Sequence, residues 1–151
     1  MKIKKIFKIA LLSVLVLLGF YAYSSTANAW RSVATRTVNG HTLAARADLP
    51  TVSDSQGCGA WRAQATYPGP RANNRVTVSW SFRSFGLGSI SASGPSFGMT
   101  AGNTGGSFTA TSTTANANGR VCASLLTFWV GMDVTASFSH GNTFHSWSTR
   151  I

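Results

Sequence analysis

Residues 75–82, Arg-Val-Thr-Val-Ser-Trp-Ser-Phe, alternate without a break between polar and apolar side chains. A strand turns successive side chains to opposite faces, whereas a helix spreads a period of two around its whole surface. The alternation therefore demands a strand with Val76, Val78, Trp80 and Phe82 toward a core and Thr77, Ser79, Ser81 and Arg83 away from it. Two more segments obey the same rule. In 107–113, Phe108 and Ala110 oppose Ser107, Thr109, Thr111 and Thr113. In 128–140, Phe128, Val130, Met132, Val134, Ala136, Phe138 and His140 share one face, with Trp129, Asp133, Thr135, Ser137 and Ser139 on the other. Beyond residue 29 no segment carries a helical period.

Turn signals separate these runs. Asn39-Gly40 is a two-residue hairpin cue. Residues 67–74, Gly94-Pro95, 102–106 and Asn118-Gly119 are further breaks. Residues 46–56 show no alternation and are expected to form a long loop. The spacing predicts an all-β fold: a single antiparallel β-sandwich of about eight to ten short strands, with a small β-barrel as the alternative.

The N-terminus combines Lys2, Lys4, Lys5 and Lys8 with an apolar run from Ile9 to Tyr23 and the sequence Ala27-Asn28-Ala29. This pattern is expected of a secretory signal peptide spanning 1–29 and cleaved after Ala29. The apolar run is shorter than the ~20 residues of a spanning helix. A secreted domain of residues 30–151 would remain. Cys58 and Cys122 are the only cysteines. In an exported chain they are expected to form one disulfide.

All four lysines lie within residues 1–29, so the remainder has nine Arg, three Asp and no Glu, a net charge of +6. Such a surface favours anionic partners: a cell-wall polymer, a polysaccharide or a membrane surface. The same count disfavours paired-carboxylate hydrolases. No G-x-S-x-G elbow, phosphate loop, cofactor motif or recognisable nucleic-acid module is present.

Three stretches hold the candidate site residues. In 138–147, a two-residue Gly141-Asn142 loop pairs His140 with Thr143, Phe138 with His145 and Ala136 with Trp147. His140 and His145 then lie diagonally on one face. They read as rim residues of that face, or as weak candidates for acid/base chemistry with an Arg such as Arg120 or Arg150. A zinc site would need a third ligand, such as His41, Asp48 or Asp54, that nothing in the spacing supplies. The loop from Tyr67 to Arg75 offers Tyr67, Arg71, Asn73, Asn74 and Arg75, side chains suited to phosphate, carboxylate or sugar hydroxyls. Trp129 sits on the polar side of its strand and is expected to be exposed. Trp61, close to Cys58, is expected to pack on the disulfide, and Trp80 and Trp147 are expected in core faces. Phe85, Leu87, Phe97 and Met99 among glycines read either as core strands or as a membrane-inserting tip. One row of threonines, Thr109/Thr111/Thr113, is too narrow for an ice-binding face.

Taken together, these features predict a secreted non-enzymatic binding protein that recognises the bacterial cell envelope or another anionic polymer. Two other classes fit the same sequence. One is a secreted antagonistic protein, bacteriocin-like or membrane-active. The other is a small secreted nuclease working through His140 and His145.

Overall fold

The computed structural model describes residues 30–50, 57–94 and 105–151. These form nine strands: β1 (Trp30–Val38), β2 (His41–Leu49), β3 (Cys58–Thr66), β4 (Val76–Gly86), β5 (Ile90–Ser93), β6 (Gly105–Ala110), β7 (Thr114–Ala123), β8 (Thr127–His140) and β9 (Thr143–Arg150). They assemble into a five-stranded sheet, β1-β2-β3-β7-β5, and a four-stranded sheet, β6-β4-β8-β9. All pairings are antiparallel, and the two sheets form a sandwich rather than a barrel. Residues 1–29, with the expected signal peptide, lie outside the described residues, as does Asp54.

The alternation in 75–83 translates directly into burial. Val76, Val78, Trp80 and Phe82 are buried, and Thr77, Ser79, Ser81 and Arg83 face outward. Val130, Met132, Val134, Ala136 and Phe138 of β8 are buried alongside them. The opposite sheet supplies a different lining: Ala45, Ala47, Ala63, Ala65, Ala115 and Ala117 are all fully buried. Large side chains of one sheet thus rest on a floor of methyl groups. Small against large is how two facing layers reach dense packing without voids.

The floor corrects the reading of 46–56 as a loop. β2 runs through to Leu49, with Ala45, Ala47 and Leu49 buried and Arg46 and Asp48 pointing out. Alanine is so weakly apolar that its alternation with charged residues does not register as a pattern. Residues 51–56 are outside the described residues.

Asn118-Gly119 is not a turn either; it lies inside β7. A Cβ at residue 119 would come 1.7 Å from the Ser93 carbonyl oxygen, so the glycine permits close approach of a neighbouring backbone. Gly105 and Gly106, expected in a break, open β6.

Cys58 and Cys122 are bonded and sit directly opposite each other on β3 and β7. The bridge is therefore within the five-stranded sheet and on its outer face. Trp61 does not pack on it. The odd spacing from Cys58 turns Trp61 inward, where it is buried against Trp80 and Phe82 at ring separations of 5.2 and 5.3 Å. Its Nε1 donates to the Ser93 carbonyl at 3.1 Å. Trp147 does point inward, but on edge strand β9 it stays 40% exposed, with the Arg36 guanidinium 5.7 Å from its ring.

Candidate functional site

The outer face of the five-stranded sheet gathers arginines that are scattered in sequence. Arg31, Asp48, Arg62 and Asn118 occupy one cross-strand row over β1, β2, β3 and β7. The next row holds Val33, Arg46, Gln64 and Asn116, and on the other side Ala60 pairs with Arg120. Outward parity on four strands is what places the cations together.

Asp48 organises part of this surface. Arg31 Nε donates to Asp48 Oδ1 at 2.8 Å, and Arg46 Nε donates to Asp48 Oδ2 at 2.9 Å. Burial alone would raise the Asp48 carboxyl, but hydrogen bonds from Arg31 and Arg46, with their charges, outweigh it and hold the carboxyl below its ordinary value. Among the described residues no carboxylate pairs with Arg62 or Arg120. Four arginines against one aspartate leave three positive charges in excess. Arg31, Arg46 and Arg62 border an open depression of about 320 Å³, lined also by Asp48, Asn118 and Gly119 among others. Gln64 Nε2 donates to Asn116 Oδ1 at 2.8 Å, which fixes the amides beside it. Forked guanidinium donors with neighbouring amides suit phosphate or carboxylate groups flanked by hydroxyls.

The sequence-predicted residues fall elsewhere. Tyr67 is fully buried, so it offers no contact to a ligand. Its ring stacks on Phe138 at 3.7 Å and its hydroxyl donates to the Val38 carbonyl at 3.3 Å. Arg71 is half-buried and turned back on its own loop, with Nη1 donating to the carbonyls of Tyr67 at 3.2 Å and Gly69 at 3.0 Å. Asn73 and Asn74 are exposed with positive φ of 56° and 47°, a backbone that asparagine tolerates. Arg75 is exposed beside them. Trp129 is 39% exposed. It lies nine residues along β8 from Phe138, about 30 Å at the rise of a strand, so it shares no site with the 67–75 loop.

His140 and His145 take the register expected of them, opposite Thr143 and Phe138. Gly141, with φ of +57°, makes the turn. His145 stacks on Phe138 at 5.1 Å, continuing a column that runs through Tyr67 to His41. His140 Nδ1 lies 3.1 Å from the Pro70 carbonyl. A carbonyl can only accept, so Nδ1 carries the proton and ties the hairpin to the 67–75 loop. All three histidines therefore stand at one end of the sandwich, and two of them belong to its aromatic packing. Among the described residues no three His, Cys, Asp or Glu side chains are grouped so as to hold a metal ion.

The outer face of the four-stranded sheet is a lattice of hydroxyls. Thr109, Thr77, Ser137 and Ser146 form one row, and Ser107, Ser79, Thr135 and Ser148 form the next. Thr77 bonds Thr109 at 2.8 Å and Thr135 bonds Ser148 at 2.7 Å, so part of this hydroxyl capacity is used within the sheet.

Sequence reasoning missed Arg31, Arg46, Arg62 and Arg120 as a group. The available signal was their common outward parity, which needs the strand register before it can be read. No protein-family model, no curated protein and no solved structure matches this chain.

Proposed function

We propose that this chain is exported and acts outside the cell as a non-enzymatic binding protein for an anionic polymer of the cell envelope. The carrying observation is the arginine face of the five-stranded sheet, where Arg62 and Arg120 stand without carboxylate partners among the described residues. A polymer with phosphate or carboxylate groups would replace the water around these guanidinium groups with charge-assisted hydrogen bonds. The depression beside Asn118 gives such a chain a seat and the amides give its hydroxyls partners. The net charge of +6 beyond residue 29 adds long-range attraction.

The test is co-sedimentation of the oxidised protein with purified bacterial cell walls. Binding is expected at low salt and is expected to weaken at high salt, because exposed charges are screened. Replacing Arg62 and Arg120 by Ala is expected to weaken low-salt binding by at least about tenfold, given that a charge-assisted bond contributes more than a neutral one. Wall binding that ignores both salt and these two substitutions would remove the reading.

A further inference from the structure

At the end of the sandwich away from the histidines, the β4–β5 and β7–β8 connections meet and expose large apolar side chains. Leu87 is 91% exposed, Phe85 71%, Phe128 67%, Leu125 64% and Leu126 57%. Phe85 and Phe128 touch, with ring centroids 6.4 Å apart. Single exposed apolar residues are ordinary; five gathered on one tip mark an interaction surface. Phe97 and Met99, read from the sequence either as core-strand residues or as part of such a tip, lie outside the described residues.

Three further observations define what the tip meets. First, it is built to be rigid. Gly88 N–H donates to the Leu126 carbonyl at 3.2 Å, Ser124 N–H to the Ser89 carbonyl at 2.9 Å, and Ser89 N–H to Ser124 Oγ at 2.7 Å. These bonds satisfy loop backbone groups internally, which is what entry into a low-dielectric layer requires. A Cβ at Gly86 would lie 2.1 Å from the Leu126 carbonyl oxygen, so glycine lets the two loops close. Leu126 holds a φ of +70°, a backbone that Asn or Gly would adopt more readily, and yet presents an exposed leucine there.

Second, the tip carries no charge: residues 84–94 and 121–132 contain no Asp, Glu, Lys or Arg. Third, its border is cationic. Arg83 precedes Phe85 by two residues, with its guanidinium 5.4 Å from the Trp129 ring. Arg150 flanks it through their shared carboxylate, Asp133. An apolar end, an amphipathic Trp at its margin and an arginine collar match the layering of a bilayer with anionic headgroups. A second copy of the chain fits less well, because joining two tips would bring two arginine collars together.

We propose that this tip is a membrane-anchoring site: Phe85, Leu87, Leu125, Leu126 and Phe128 enter the interfacial layer of an anionic bilayer, and Arg83 and Arg150 hold lipid phosphates. The site is separate from the depression on the five-stranded sheet and stands whether or not that surface binds a wall polymer.

The experiment is flotation of the exported, oxidised protein with vesicles of phosphatidylcholine, with and without phosphatidylglycerol. The protein is expected to float with the phosphatidylglycerol vesicles and to float less with phosphatidylcholine alone. The variant carrying Leu87→Ser, Leu125→Ser and Phe128→Ser is expected to partition at least about tenfold less, since each buried leucine or phenylalanine contributes strongly to transfer. Its wall co-sedimentation should be unchanged. Leu87→Ser alone, at a side chain almost wholly in solvent, gives a smaller loss in a protein whose fold is untouched. Wild-type protein that stays unbound, or Ser variants that float like wild type, would overturn the proposal. So would a wild-type dimer in gel filtration that the triple variant dissolves.

Discussion

Asp48 shows how much one side chain can set. Its carboxylate receives Arg31 and Arg46 and is held below its ordinary value against the effect of burial. A lowered folded-state value means that this group adds stability above its unfolded pKa, and that the contribution is lost as pH falls through the folded value. Thermal stability is therefore expected to drop as pH falls below about 4, the ordinary range of an aspartate. Asp48→Asn should be less stable at neutral pH and should lose less on acidification, as followed by circular dichroism melts. An acid-induced loss of equal size in Asp48→Asn would place the effect elsewhere. At this scale the sequence was a partial guide. It marked Tyr67 as a polar side chain on an exposed loop, but Tyr67 is the first residue after β3 and keeps that strand's inward parity. Its ring is large enough to fill the end of the core, and the hydroxyl finds a backbone carbonyl there.

Strands were legible wherever large apolar residues alternate with hydroxyls, as in β4 and β8. The β8–β9 hairpin was readable down to its register, because Gly141-Asn142 fixes which residues face each other. β2 was only half legible. Its core residues past Leu43 are Ala45, Ala47 and Leu49, and alanine gives a periodicity count almost nothing. Yet those alanines decide the spacing of the sheets. Ala63→Leu, at the centre of the floor, is expected to destabilise the protein by about 1–3 kcal/mol through overpacking against the large residues opposite. Urea unfolding would measure it, and a midpoint equal to wild type would show that the floor has room to spare. The arginine face belongs to this scale too. Each of its members is an unremarkable outward residue on its own strand, and only the pairing of β1, β2, β3 and β7 makes them neighbours.

For the whole molecule, the sandwich class and the Cys58–Cys122 bond followed from turn spacing and from a single cysteine pair in a chain expected to be exported. The position of that bond did not follow, because sequence separation says nothing about which sheet holds each partner. The bridge closes a loop of 64 residues, which in the chain-entropy account contributes roughly 4 kcal/mol at most. Cys58→Ser with Cys122→Ser is expected to lose about 2–4 kcal/mol in denaturant unfolding. An unchanged midpoint would mean that residual structure in the unfolded chain already restrains it, or that strain in the folded bond offsets the gain.

The same bond makes residues 58–122 a covalent ring, with β1 and β2 as one arm and β8 and β9 as the other. The exposed Asn73-Asn74-Arg75 turn lies on that ring. A protease that cuts after Arg75 therefore opens the ring without releasing a fragment. Both halves stay joined through Cys58 and Cys122, and hydrogen bonds within both sheets still hold their strands in place. Wherever a peptidase meets the folded chain, one nick at this exposed basic turn leaves the protein in one piece until the disulfide is reduced.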